Sequence, residues 1–435
     1  MQNILRSIIV TLLLMLMSTL IIAQDDSDAF TPSPELDEYL TELEGTTVGI
    51  RSLPKLEDVT RVFPTKEDVA AYLQAVIAEE LTPEIANELT QFYVAFDFIE
   101  PGAPFFDLYL ELLEDQVGGY YDPEVKEMNT ILLSGRRPNE RLPLLEQIIY
   151  VHEFVHALQD QHFDLAAILD DAEANEDNPD RVQAIISLVE GDATAVMNEY
   201  TVIATEENPI GALVEILLAG ANTGSLTIPE GIPAIMEAEL LSPYLDGSIF
   251  VSALKAEGGW DMVDAAYDNL PESTEQILHP RKYLEGESPI EVEMLDGEGL
   301  LGDTWQLLFD RPMGEFFLRE YLYTQLSVSD ARAAAAGWGG DRYHLYYDAE
   351  NDQRAWVMRL VWDDLEEAEE FNAAYEAFGE SRFDAEQDEV GCWSNAVDAI
   401  CFMVEADGSS LIAYAPTETT AQILIDHQRV AIAVD

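Results

Sequence analysis

The chain has 435 residues, with 85 acidic against 21 basic side chains and a formal net charge of −64. That balance excludes nucleic acid as a partner, because phosphate contacts need basic patches. An apolar fraction of 48% excludes a disordered acidic tail and supplies cores for two or three domains.

Met1 to Arg6 is short and basic, Ile8 to Ile22 is almost continuously apolar, and Ala23 closes the run with a small residue. This is the pattern of a secretory signal peptide over residues 1–23. The apolar run is shorter than the ~20 residues of a spanning helix, so membrane association is expected only if the segment is retained as an anchor. A Ser/Asp/Thr/Pro linker follows over 24–36, and 37–115 reads as mostly helical with Pro64, Pro83 and Pro101 at joints. Gly118-Gly119 and Asp122-Pro123 punctuate a hairpin-like stretch, and Met128 to Leu133 reads as a strand.

After Pro143, apolar Leu145, Ile148, Ile149 and Val155 recur at helical spacing and lead through His152-Glu153-Phe154-Val155-His156. Residues four apart share a helix face, so His152 and His156 aim two imidazoles at one point. Neutral imidazoles suit Zn²⁺, one per chain, and Glu153 beside them can take a proton from a zinc-bound water. A surface helix with two chance histidines is the ordinary alternative. The apolar flanks argue against it, because polar groups in such surroundings need partners. His162, a turn and a half beyond His156, points elsewhere and reads as structural.

Asp170 to Asp180 is the densest acidic stretch. It offers oxygens of the kind Ca²⁺ takes but lacks EF-hand spacing, and a solvated loop is its plain reading. The helical run that follows (Val182, Ile185, Ile186, Val189, Ala193, Val196, Met197) encloses Glu190, the expected third ligand, with Asp192 and Glu199 as alternatives. Small Gly191 and Ala193 allow close approach of two helices. Ile210 to Ala221 reads as a buried helix, and from Tyr244 onward the pattern stays helical (Ile249, Phe250, Leu254, Trp260, Val263, Tyr267), its aromatics read as core. His279 and Tyr283 are candidate donors to a developing oxyanion, although a His before Pro280 is also a common turn residue.

From about Trp338 the pattern changes. Arg342 to Tyr347 and Ala355 to Trp362 alternate as strands, Asp364 to Phe378 is helical, and Ala399 to Glu405 with Leu411 to Ala415 form a hairpin. Cys392 and Cys401, the only two cysteines, suit one disulfide across neighbouring strands of an exported protein.

HEFVH followed by L-V-E-G-D-A at 188–193 resembles the gluzincins, the thermolysin-like zinc metallopeptidases. Gly118 to Pro123, Ala157 to Asp164 and Ser273 to Pro280 add to a likeness with bacterial secreted proteins of that clan, over roughly residues 45–285. The resemblance implies His152, His156 and Glu190 as ligands, Glu153 as general base, and an edge strand that pairs with extended peptide. Relatives keep an orienting Asp where this chain has Thr194, which leaves Asp160 or Asp192 to do that work or implies a different placement of the two helices.

The expectation is therefore an α+β protein. A mainly helical zincin-like domain with a small antiparallel sheet covers 116–335, and a small α+β domain covers 336–435. The expected activity is secreted, zinc-dependent hydrolysis of a peptide or protein substrate. The alternative is a non-catalytic extracellular binding module on the same scaffold.

Overall fold

The computed structural model describes residues 30–116, 118–133, 137–174, 177–207, 209, 231–297 and 299–429. The expected signal segment, the expected helix at 210–221 and most side chains of the acidic stretch at 170–176 lie outside the described residues. The protein is α+β and divides into two compact units. The first holds residues up to Thr82, Pro104–Asn175 and Val182–Pro271; the second holds Pro83–Ala103, Glu176–Arg181 and Glu272–Asp435. Residues 83–103 and 272–335, which the sequence groups with the N-terminal and catalytic regions, thus cluster with the C-terminal strands.

The first unit is built around the helix Leu144–Phe163. Pro143 precedes its first turn, where a fixed φ costs nothing. Every residue from Tyr150 to Asp160 is buried, so this is an interior helix rather than an amphipathic surface one. The N-terminal helix Pro34–Arg51 opens on Ser33, whose hydroxyl accepts from the Leu36 N–H, with Pro34 in the first turn. Leu36, Leu40 and Leu43 form its buried stripe, and its Glu44 accepts a 2.8 Å hydrogen bond from the Tyr150 hydroxyl.

Three short strands complete the frame: β1 (Thr60–Val62), β2 (Gly119–Asp122) and β3 (Glu127–Thr130). Their order is β1-β3-β2, with β1 parallel and β2 antiparallel to β3. The sheet is therefore mixed, not antiparallel as the sequence suggests, because β1 arrives from far upstream instead of by a hairpin. The strand read at 128–133 is central rather than an edge; the edge strand of that hairpin is β2.

Two long helices close the unit, Pro179–Glu207 and Ala234–Gly258. They meet glycine to glycine. A Cβ on Gly191 would fall 2.2 Å from the Gly247 carbonyl carbon, and one on Gly247 would fall 2.1 Å from the Ser187 oxygen. No other residue fits at either position without forcing the backbones apart.

The second unit carries a six-stranded antiparallel sheet in the order β4-β5-β6-β9-β8-β7. Its strands are β4 (Trp305–Arg311), β5 (Trp338–Asp348), β6 (Gln353–Trp362), β7 (Cys392–Ser394), β8 (Ala399–Val404) and β9 (Ser410–Ala415). Leu424 and Ile425 of the helix Glu418–Arg429 join Val357, Leu411 and Ala413 in one core. Phe371, Tyr375 and Phe378 of the helix Leu365–Phe383 pack with Trp362, Trp393 and Phe402 in another. The helix Pro83–Ala95 leads into this aromatic interior: Phe96 stacks on Trp356 at 4.8 Å. Cys392 and Cys401 stand opposite each other on β7 and β8 at disulfide distance. Among the described residues no helix is long and apolar enough to cross a membrane.

Candidate metal centre

His152 and His156 project from one face of the helix Leu144–Phe163, and Glu190 reaches them from the helix Pro179–Glu207. The two Nε2 atoms are 3.1 Å apart. Glu190 Oε2 lies 3.1 Å from His152 Nε2 and 3.5 Å from His156 Nε2. Donors on a tetrahedral zinc with bonds of about 2.05 Å stand roughly 3.3 Å from one another. The three atoms match one face of that tetrahedron, and two imidazoles with a carboxylate are a donor set that zinc accepts. Of the two alternative ligands, Asp192 is engaged elsewhere and Glu199 is ion-paired with Lys255.

Charge within the cluster is strongly coupled. Burial opposes ionisation of both partners, but attraction wins: His156 is pushed up to about 9 by Glu190, and Glu190 is held well below the usual carboxylate range by the imidazoles. Glu153 is 6% exposed, and its carboxyl is raised, chiefly by burial, against the pull of the two imidazoles. Strand β2 crosses just above it. A Cβ on Gly119 would come within 3.0 Å of Glu153 Cγ and 2.8 Å of the Asn129 carbonyl oxygen, so only glycine lets the strand lie this close to the base.

Behind the imidazoles the two orienting acids behave differently. Asp192 is fully buried and accepts from Arg51 Nε at 2.7 Å, the Tyr267 hydroxyl at 2.9 Å and Gln159 Nε2 at 3.1 Å. Gln159 also donates to the Val189 carbonyl at 3.0 Å, while its Oε1 stands 2.8 Å from His156 Nδ1. With both acceptors on the amide nitrogen, the oxygen is the end that faces His156. When neutral, the imidazole then carries its proton on Nδ1 and presents a bare Nε2 to a cation. Asp192 thus reaches the cluster through Gln159. Asp160 accepts instead from the Tyr121 hydroxyl at 2.8 Å and ties β2 to the helix. Thr194 Oγ1 and His152 Nδ1 are both buried without a hydrogen-bond partner.

Tyr244 is a member of the site that the sequence reading passed over as core. Its phenol interacts with Glu190, and its ring centroid is 5.9 Å from that of His152. Burial first, then the charges of Glu190 and Glu153, push its ionisation well up, so it remains a proton donor. The glycine crossing explains the placement. Gly191 follows Glu190, Gly247 lies about one turn from Tyr244, and their contact brings ligand and phenol together.

His279 and Tyr283 belong to the second unit. His279 precedes the short helix Pro280–Glu285 that carries Tyr283, and its Nε2 meets Glu315 Oε1 at 2.9 Å. Glu275, Glu287 and Asp363 form another acidic group there, but Lys282 Nζ already sits among them, 3.0 Å from Glu287. His162 Nε2 meets the Pro54 carbonyl at 2.8 Å, a structural role as expected.

The family model described as "Domain of unknown function (DUF8575)" matches residues 307–424. That span covers the sheet of the second unit from β4 onward and contains none of the residues of the His152–Glu190 cluster. No curated protein and no solved structure matches the chain.

Proposed function

We propose that the protein is an exported zinc-dependent peptidase of zincin-like, gluzincin type. The observation that carries the reading is the convergence of His152, His156 and Glu190 to 3.1–3.5 Å, with Glu153 next to them on the same helix. Bound there, zinc would act as a Lewis acid and lower the pKa of a bound water.

The remaining steps fall to the chain's own groups. Glu153 takes the proton of the attacking water and returns it to the leaving amine. Its burial favours a carboxyl that can hold that proton between the two transfers. Tyr244, still protonated at neutral pH, supplies a hydroxyl for the oxyanion, and we favour it over His279 and Tyr283 because its ring lies beside that of His152. Strand β2, with Gly119 against Glu153, offers an edge on which an extended peptide can add as a further strand. Main-chain pairing of that kind gives broad rather than strict sequence preference. The paired cysteines suit an oxidising compartment outside the cytoplasm.

Glu153→Gln tests the mechanism. Hydrolysis of a casein or quenched-peptide substrate should fall by about 10²- to 10⁴-fold while zinc remains bound. Full activity in the variant would rule out Glu153 as the base. A wild-type chain that holds zinc and cleaves no peptide in a broad library would favour the non-catalytic binding module.

A further inference from the structure

The N-terminal helix Pro34–Arg51 ends in a residue that is costly to place where it is. Arg51 is wholly buried, and removing a guanidinium from water is heavily penalised unless its partners are well made. Nε makes the one directed contact, donating to Asp192 at 2.7 Å; Nη2 is ion-paired with Asp264 at 2.7 Å without a hydrogen bond, Nη1 has no hydrogen-bond partner among the described residues, and the guanidinium carbon is 4.6 Å from the Trp260 ring centroid. Asp192 in turn is one of two acceptors that hold the amide nitrogen of Gln159, whose oxygen faces His156.

We propose that Arg51 is a positioning residue for the metal centre, acting through Asp192 and Gln159 to fix the orientation of His156. The inference rests on the metal reading given above. Without Arg51, Asp192 would be a buried carboxylate short of its cation, and a rotamer swung toward another donor would no longer hold Gln159. A flipped amide would turn its NH₂ toward His156 Nδ1, place the imidazole proton on Nε2 and block the ligand atom. The reverse orientation also sets Oε1 against the Asp192 carboxylate and the Val189 carbonyl, so an intact Arg51–Asp192 pair disfavours it. The helix at residues 34–51 is accordingly built into the site, although 141 residues separate Arg51 from Asp192.

The test is a double-mutant cycle on the full chain, read as the zinc dissociation constant from chelator competition and as the visible spectrum of cobalt(II) in the same site. Folding of each variant is checked by thermal melting in EDTA. Arg51→Met and Gln159→Met should each weaken zinc binding by about 10- to 100-fold, and the double variant should lose little more than either alone. Arg51→Lys, which keeps a cation facing Asp192, should recover part of the affinity, and it reports on the relay if Arg51→Met does not fold. A wild-type chain that binds one zinc, with Arg51→Met equally tight or strictly additive with Gln159→Met, would overturn the relay alone. A folded wild-type chain that binds no zinc would overturn the metal reading and the relay with it.

Discussion

In the first unit the wholly buried Asp192 faces Arg51, and Glu190 faces two imidazoles; in the second, Asp180 and Asp341 are just as buried but rely on uncharged donors. Asp180 accepts from the Thr274 N–H and hydroxyl, and Asp341 accepts from the Met313 and Gly314 N–H groups and the Trp338 indole. Glu315 has His279 on one oxygen and no partner on the other. The outcomes diverge as physics requires. Opposite charge overcomes desolvation at Glu190, whereas burial pushes Asp180 up to about 8 and Asp341 to about 6. Beside two imidazoles Glu190 stays ionised and can serve a cation; Asp180, held by uncharged donors, keeps its proton at neutral pH and serves packing. An acidic composition alone does not distinguish the two.

The sharpest way to break this contrast is to remove the carboxylate that sits among imidazoles. Glu190→Ala should cost more zinc affinity than the 10- to 100-fold typical of an outer partner, whereas Glu199→Ala should cost almost none. Equilibrium dialysis of both variants checks the pair, and equal losses would reject the ligand assignment. Next in size is Gly191→Val. Its branched side chain would have to occupy the space of the Gly247 backbone, so a destabilisation of about 3 kcal/mol or more is expected in a denaturant melt. A variant within about 0.5 kcal/mol of the parent would show that the helices can part freely.

A change confined to the second unit should leave the metal alone. Cys401→Ser is expected to lower that unit's stability by about 2–3 kcal/mol without altering zinc affinity. The smallest effect is the pH dependence of the buried acids. Because the Asp180 carboxyl is raised, the folded protein holds a proton that the unfolded chain releases above about pH 4. Its stabilising contribution is full below that pH and is lost as pH rises toward 8. The melting temperature of the second unit should therefore drop between pH 5 and 7.5, at a limiting slope of about 1.4 kcal/mol per pH unit, and Asp180→Asn should flatten the profile. An unchanged slope in the variant would assign the effect to another group.

The sequence exposes the parts of the site that lie close along the chain. His152, Glu153 and His156 are fixed by helical spacing, Glu190 by a lone acid in an apolar run, and the role of Gly191 by its size. It also places β5, β6, β8 and β9 closely, because alternation and a tight turn are local signals. Residues that act across the fold are not legible in this way. Arg51 reads as the last residue of an acidic helix, and nothing nearby points to Asp192. Gln159 could have been found, since it lies one turn after His156 on the same face. Tyr244 follows Pro243 inside the continuous helix Ala234–Gly258, and nothing along the chain links it to the histidines. The choice between β2 and β3 as the edge depended on β1, a strand of three residues too short to announce itself.

The central claim is that HEFVH and Glu190 hold one metal ion through three side chains. X-ray absorption at the zinc edge on the purified chain, combined with metal analysis, tests it most directly. The account expects one zinc per chain, with two imidazole nitrogens and a carboxylate oxygen among light-atom ligands at about 2.0–2.2 Å, and loss of that signal in Glu190→Ala. A folded chain without zinc, or a zinc signal that Glu190→Ala leaves unchanged, would contradict it.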